Sequence, residues 1–302
     1  MGRAMLRAAL LVIALCCGLG VARAQDVIPY PGDASHPLPR RIALVIGVQH
    51  YTGAGVLQLD DALGATADAQ KMIDLLPLMG FSAADTTVVV GDPSHNVTKD
   101  VIIQAIDTFV SHGKDIKAEM GIGPVMLFYF AGHGVNVEGK NYLLPSNFFA
   151  NDDGEVREHG ISLEDVVVTK LASAKPELKL IITDACRSAA PPELPRRGSI
   201  ERVQVGRGIF NPQADNDLQA YAQNHTYFLY AAMPGNPAFG TAGGGRFTAA
   251  FVGAARDHLD EVRSRGEAAR PTLVDIFDQI KTEMSLLPRD KRQDPVIDPS
   301  HA

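Results

Sequence analysis

The chain contains no tryptophan and very little cysteine. Only three of its 302 residues are cysteines, and two of them, Cys16 and Cys17, lie in an apolar N-terminal stretch. If that stretch is removed, Cys186 is the one remaining thiol, which excludes a disulfide-stapled fold. A lone thiol is either buried and inert or accessible for reaction.

Basic residues are also in deficit. There are 28 Lys and Arg residues against 35 Asp and Glu residues, which gives a formal net charge of −7. Binding to nucleic acid or to an anionic membrane surface requires a basic patch, so this composition argues against both kinds of partner. The apolar content of 46% and the length are those of an ordinary globular protein with a sizeable core.

Residues 1–24 have the features of a secretory signal peptide. Arg3 and Arg7 give a positive start, and residues 8–21 form an apolar stretch that is short for a membrane span. Ala22-Arg23-Ala24 supplies the small residues that a signal peptidase requires. We therefore expect cleavage after Ala24 and a secreted or periplasmic protein without membrane attachment. A retained membrane anchor is the alternative.

The remaining apolar pattern predicts an α/β fold. Continuous apolar runs ended by Gly, Pro or polar residues are typical of buried parallel strands, and amphipathic stretches separate them. Strands alternating with helices imply a mostly parallel central sheet with helices on both faces. The strands are expected at 42–48, 86–90, 125–130, 178–183 and 227–232, and the helices at 61–76, 98–112, from 162, 247–259 and 273–286.

Composition divides the chain further. Residues 25–40 are a proline-containing lead-in, and residues 41–187 carry the strand and helix pattern without interruption. Residues 188–224, rich in proline and arginine, are expected to form an exposed connection, and 225–287 to complete the same domain. The glycine-rich stretch at 240–245 is expected to be a flexible loop, and 288–302 to be a polar tail.

Two of the expected strands lead directly into chemically active residues. The strand at 125–130 is followed by His133, and the strand at 178–183 is followed by Cys186. The carboxyl ends of parallel strands meet at one edge of a sheet, so the imidazole and the thiol can meet there. A histidine beside a cysteine favours the thiolate and later protonates the leaving amine. The backbone N–H groups of Gly134 and Cys186 are the candidate oxyanion donors.

Four motifs in this order resemble the caspase-like cysteine peptidases, the group that includes metacaspases and orthocaspases. His133 and Cys186 are 53 positions apart, near the spacing of roughly 50 residues in caspases. The motifs are Ala43-Leu44-Val45-Ile46-Gly47, Phe128-Tyr129-Phe130-Ala131-Gly132-His133-Gly134, Asn141-Tyr142-Leu143-Leu144-Pro145 and Ile182-Thr183-Asp184-Ala185-Cys186-Arg187. The resemblance implies the caspase-like fold and a Cys186–His133 catalytic dyad.

The same resemblance implies a substrate preference. Metacaspases and orthocaspases have Asp two residues before the nucleophile and a second Asp on the first helix, and Asp184 and Asp68 match these positions. Two buried carboxylates bind a guanidinium or ammonium group, so the implied substrates are peptides or proteins cleaved after Arg or Lys. The arginines within 196–207 are then a candidate self-cleavage site.

No cofactor or metal is predicted. Asp152, Asp153 and Glu155 do not have the spacing of an EF-hand, and the histidines show no zinc-ligand pairing. Calcium dependence, known among metacaspases, stays open. Two other classes of function also remain: a caspase-like module that binds partners without catalysis, and a redox-sensing thiol protein. The latter normally has a resolving cysteine, which is missing after residue 24.

Overall fold

The computed structural model describes residues 38–53, 59–91, 94–137, 140–186, 226–231, 240–265, 273–288 and 295–299. The predicted signal peptide, nearly all of the lead-in and the connection at 188–224 lie outside the described residues, as does the candidate self-cleavage site. Within the described part of the chain, no helix is long and apolar enough to cross a membrane.

From Arg41 to Cys186, strands are interleaved with helices, as the sequence predicts. The strands are β1 Arg41–Gly47, β2 Thr86–Val90, β3 Val125–Val137, β4 Lys140–Leu143, β5 Ile161–Ser162, β6 Leu178–Cys186, β7 Thr226–Tyr230, β8 Gly240–Thr241, β9 Gly244–Gly245 and β10 Val296–Pro299. The helices are α1 Ala65–Leu75, α2 Lys99–Met120, α3 Asp153–His159, α4 Thr169–Ala172, α5 Arg246–Arg265 and α6 Leu273–Ser285. A π-helical turn, Leu163–Val168, precedes α4.

The central sheet has the strand order β10-β7-β6-β3-β1-β2. All pairs along this path are parallel except β10 with β7. The strand β3 extends beyond the sheet and pairs antiparallel with β4, which in turn pairs with β5. This architecture confirms the predicted α/β fold class.

Both faces of the sheet are buried, which explains the continuous apolar runs. In β1, Ala43 and Val45 belong to the core on one face, while Ile42, Leu44 and Ile46 belong to the core on the other. Residues of α1, α5 and α6 pack on the first face, and residues of α2 and α4 pack on the second. Alternate side chains of each central strand are therefore apolar in both directions.

The helix α2 is longer than the sequence predicts. It continues through Gly113 to Met120 and ends at Gly121, which has a left-handed φ of 75°. A Cβ atom at Gly113 would lie 3.1 Å from the Cβ of Ala174, so this glycine permits close packing inside the helix. The expected end near residue 112 is wrong because tertiary packing outweighs the low helix propensity of glycine.

Two C-terminal segments also differ from expectation. The stretch 240–245 forms the β8–β9 hairpin, although the sequence predicts a flexible loop. Within the predicted tail, β10 adds an antiparallel strand to the edge of the sheet. Pro299 is compatible with this position because an edge strand does not need every N–H for pairing.

Asp85 joins the start of β2 to the rest of the domain. Its carboxylate accepts hydrogen bonds from Arg40 Nε at 2.9 Å and Arg40 Nη2 at 2.6 Å, and it lies 3.0 Å from His112 Nε2. Burial alone would raise its pKa, but the bonds from Arg40, His112 and Ser82 outweigh burial and lower the pKa to about 2. The ionised form of Asp85 therefore stabilises the folded state.

We expect Asp85→Asn to lower the free energy of unfolding at pH 7 by about 1–3 kcal/mol. Because the folded pKa is below the unfolded value of about 4, the stabilisation is present above pH 4 and is lost as pH falls toward 2. Denaturant unfolding at pH 7 and at pH 2.5 measures both effects. The control is Asp107→Asn, which removes an exposed pair with Lys170; an equal loss in this variant contradicts the assignment.

Candidate active site

The strands β3 and β6 bring His133 and Cys186 to the same edge of the sheet. The two strands are adjacent and parallel, and their register pairs His133 directly with Cys186. The neighbouring strand β1 ends at Gly47, level with Ala131, so His133 lies two residues beyond it. The strands β3 and β6 continue through His133 and Cys186, so each of them is longer than the sequence predicts.

The His133 ring is held by a backbone carbonyl. His133 is 4% exposed, and its Nε2 lies 2.7 Å from the carbonyl oxygen of Asp60. Because a carbonyl oxygen only accepts, Nε2 carries the proton, and Nδ1 is the acceptor nitrogen of the neutral ring. This arrangement is the one expected of a histidine base oriented by a third group.

Tyr51 positions His133 from the other side. Its hydroxyl accepts a hydrogen bond from the His133 backbone N–H at 2.7 Å and donates to the Leu144 carbonyl at 3.3 Å. The Tyr51 and His133 rings are 4.6 Å apart between centroids and tilted by 47°. The Asp61 carboxylate accepts from the Tyr51 N–H and contacts His50 Nδ1, so the loop that carries the Asp60 carbonyl is tied to the loop after β1.

We expect Tyr51→Phe to lower kcat about tenfold with little change in KM. The ring stays, but the His133 N–H and the Leu144 carbonyl lose a partner, which costs roughly 1–3 kcal/mol of folding stability. Steady-state kinetics and thermal unfolding measure the two effects. Tyr227→Phe is the control, since within the described residues its hydroxyl has no hydrogen bond. A loss of stability without a loss of kcat would show that Tyr51 has no positioning role.

Gly134 is closely packed against its neighbours. It is opposite Leu143 of β4, and a Cβ atom at this position would lie 3.1 Å from the Cβ of Ala185. The strand β3 can therefore approach the segment before Cys186 closely. The role of the Gly134 and Cys186 N–H groups as oxyanion donors stays a prediction.

The structure brings Asp68 and Asp184 together at the N-terminus of α5. Asp68 Oδ2 accepts from the Gly245 N–H at 2.6 Å, and Asp184 Oδ2 accepts from the Thr248 N–H at 3.1 Å and the Thr248 hydroxyl at 2.7 Å. A Cβ atom at Gly245 would lie 2.4 Å from Asp184 Oδ2 and 3.1 Å from Asp68 Oδ2. The two carboxylates thus converge on one glycine and satisfy N–H groups at the start of a long helix.

Lys71 supplies the positive charge beside this pair. Its ammonium group is 3.1 Å from Asp68 Oδ1 and donates to the Gly243 carbonyl at 2.7 Å. The Tyr129 hydroxyl extends the network through a 2.7 Å contact with the Thr248 hydroxyl. The pair is consequently bonded to the β8–β9 hairpin and to α5, in addition to any ligand it binds.

Both carboxyl groups resist ionisation. Burial, followed by the negative charge of Asp184, raises the pKa of Asp68 to about 7. Burial also raises the pKa of Asp184, against the opposing bonds from Thr248. A carboxyl group whose pKa rises on folding contributes stability at pH values below its pKa in the unfolded chain. This stability is lost as pH rises through its pKa in the folded state. The Asp68–Asp184 pair therefore favours a bound cation at neutral pH and above.

Several contributors to this site carry no signal in the sequence. Asp60 acts through its carbonyl, which every residue type offers, and Tyr51 and Lys71 lie in no recognised motif. Asp152, considered for calcium, instead caps α3 by accepting from the Glu155 N–H. Within the described ranges, no group of three or more His, Cys, Asp or Glu residues is arranged to hold a metal ion.

A parallel α/β sheet with a histidine and a cysteine in register at its carboxyl edge defines the caspase-like class of cysteine peptidases. The family model described as the caspase domain of peptidase family C14 matches residues 40–301. The chain belongs to this family, which confirms the resemblance identified from the motifs.

Solved structures agree at the level of the fold. Caspase-1 from Spodoptera frugiperda superposes with a TM-score of 0.53 at 14% identity, covering 86% of each chain. A protein from Geobacter sulfurreducens superposes with a TM-score of 0.51 at 16% identity, covering 86% of this chain and 93% of the other. No curated protein sequence matches this chain.

Proposed function

We propose that this protein is an exported cysteine endopeptidase that cleaves peptide bonds after Arg or Lys. Cys186 is the nucleophile and His133 is the acid–base group. The observation that carries the proposal is the pairing of these two residues in register, with the His133 tautomer fixed by the Asp60 carbonyl. The family-level chemistry of cysteine peptidases supplies the reaction.

The reaction proceeds through a thioester. The Cys186 thiol gives its proton to His133 Nδ1, and the thiolate sulfur attacks the scissile carbonyl carbon. The developing oxyanion accepts from the Gly134 and Cys186 N–H groups. The His133 imidazolium gives its proton to the leaving amine as the C–N bond breaks. A water molecule then attacks the thioester carbon, His133 takes its proton, and the C–S bond breaks to release the carboxylic acid and the thiol.

The preference for Arg or Lys rests on the Asp68–Asp184 pair. Asp184 lies two residues before the nucleophile, and both carboxyl groups are 4% exposed. Two buried like charges with raised pKa values favour a cation, and a guanidinium can meet them in bidentate geometry. Lys71 already neutralises part of this charge, so a basic substrate side chain competes with it.

One observation favours a second candidate, a binding module without catalysis. The carboxylate oxygens of Asp68 and Asp184 accept hydrogen bonds from α5 and the hairpin. A pair of this kind also serves to hold the C-terminal part of the domain. Such a module needs a peptide-binding surface but not the nucleophile.

A panel of fluorogenic peptides tests the proposal. The chain lacking residues 1–24 is assayed on otherwise identical peptides that end in Arg, Lys or Asp, with and without calcium. We expect cleavage after Arg and Lys only. Cleavage after Asp would overturn the proposed pocket, and binding without any cleavage would favour the module. Fractionation of cells that express the full chain tests export, with removal of residues 1–24 checked by mass spectrometry.

A further inference from the structure

A cavity of about 480 Å³ lies between the start of α2, the strands β4 and β5, and α3. None of His133, Cys186, Asp68 and Asp184 lines it. Its volume is within the range of small-molecule sites, which is roughly 300–1,000 Å³.

Most of the charged residues that line this cavity are positive. Lys99, Lys140 and Arg157 line it, against the single acid Asp165. The chain as a whole has a formal charge of −7, so this concentration of cations is a local departure from its composition. A concave surface with an excess of one charge attracts ions of the opposite sign.

Internal contacts hold two of the cations at the cavity. Lys99 donates from its ammonium group to the Glu158 carbonyl, and the Lys140 ammonium lies 2.6 Å from Asp165 Oδ2. Ammonium groups that are already positioned lose less side-chain entropy when a ligand binds. Asp165 competes with an anionic ligand for Lys140, so it lowers the affinity of the site.

Tyr142 adds a hydrogen-bond donor. It is 5% exposed and lines the cavity, and its hydroxyl makes no hydrogen bond to the described part of the chain. Burial raises the pKa of this hydroxyl, the charges of Arg157 and Lys140 lower it, and the charges of Asp165 and Glu164 raise it. The hydroxyl is therefore able to donate to an acceptor on a ligand in the cavity.

The rest of the lining is apolar. Ile103, Val137, Ile161 and Val166 form a surface beside the charged groups. Inorganic phosphate would leave this surface exposed to water, whereas an anion with a hydrocarbon part covers it. Three cations and one acid line the cavity, so a ligand with a single negative charge is sufficient to form an ion pair there.

We propose that this cavity binds a small monocarboxylate with an apolar body. The carboxylate accepts from the Tyr142 hydroxyl and pairs with Arg157 and Lys140, and the hydrocarbon part lies on the apolar residues. Tyr142 is two residues before Leu144, whose N–H donates to the His133 carbonyl at 3.0 Å. The cavity is thus separate from His133 and Cys186, although Leu144 directly follows β4, the strand that carries Tyr142.

Titration of the full chain with sodium hexanoate, followed by calorimetry and by amide NMR shifts, tests this inference without any need for cleavage. We expect saturable binding that neither hexanol nor inorganic phosphate reproduces. Arg157→Gln and Lys140→Gln each weaken it about tenfold, and Tyr142→Phe weakens it about three- to tenfold. Asp165→Asn strengthens binding because the competing carboxylate is removed.

Lys114→Gln is the matched control, because Lys114 is exposed on the same helix as Lys99 and does not line the cavity. An equal loss of affinity in this variant would show that hexanoate responds only to net charge, and would overturn the site. Equal binding of hexanol or of phosphate would overturn the monocarboxylate assignment. Absence of saturable hexanoate binding would overturn the proposal itself, whatever the peptide assays show.

Discussion

Cleavage of Arg peptides is expected to fall at least about 10⁴-fold, to the background of the assay, when Cys186 is replaced by Ala. His133→Ala is expected to give a loss of the same order, because the thiol then has no base and the leaving amine no proton donor. The double variant should be no worse than either single variant, since the two residues act as a unit. Initial rates on the peptide ending in Arg measure all three.

The control for this experiment is His95→Ala, which replaces an exposed histidine far along the chain from the proposed dyad. Thermal unfolding of each variant establishes that it is folded. A folded Cys186→Ala variant that keeps one tenth of the wild-type rate would exclude Cys186 as the nucleophile. Loss of activity in His95→Ala would indicate a general effect of surface histidines.

Asp184→Asn is expected to lower kcat/KM for Arg and Lys peptides about a hundredfold to a thousandfold. Removal of one charge from a buried set of interacting charges costs roughly 3–5 kcal/mol, and each 1.4 kcal/mol is a factor of ten. The asparagine oxygen still accepts from the Thr248 N–H and hydroxyl, so the contact with α5 is kept. The variant therefore separates the charge of Asp184 from its role in packing.

Stability should change in the opposite direction to activity. The pKa of Asp68 is raised to about 7 and that of Asp184 is also raised, so ionising these two buried groups as pH rises costs the folded state free energy. We expect Asp184→Asn to be more stable than the wild type at pH 8 and to show little difference at pH 5. Asp74→Asn, on the exposed side of α1, is the control. Lower stability at pH 8 together with unchanged Arg selectivity would assign Asp184 a structural role alone.

The parts of this fold that could be predicted are those that the types of side chain determine. Buried parallel strands need apolar residues on both faces, so β1 and the first half of β3 are recognisable as continuous runs. The histidine and the cysteine could be found because their chemistry depends on residue type. Their adjacency required only that two neighbouring strands be parallel.

The parts that could not be predicted depend on tertiary contacts. The Asp60 carbonyl that orients His133 has no side-chain signature, and β10 offers only Val296 and Ile297 as an apolar pair. Gly113 was expected near a helix end, but it lies inside α2, where an added Cβ atom would be 3.1 Å from the Cβ of Ala174. The hairpin at 240–245 is fixed by Asp68 and Lys71, which are more than 170 positions away along the chain.

The contacts between Asp68, Asp184 and the start of α5 have a consequence for the integrity of the chain. Asp68 and Asp184 precede the connection at 188–224, whereas Gly245 and Thr248 follow it. The parallel pairing of β6 with β7 joins the same two parts, from Lys179–Thr226 to Thr183–Tyr230. If the protein is cut once between Cys186 and Thr226, we therefore expect the two polypeptides to stay associated. They should elute together in size-exclusion chromatography and separate only on denaturation.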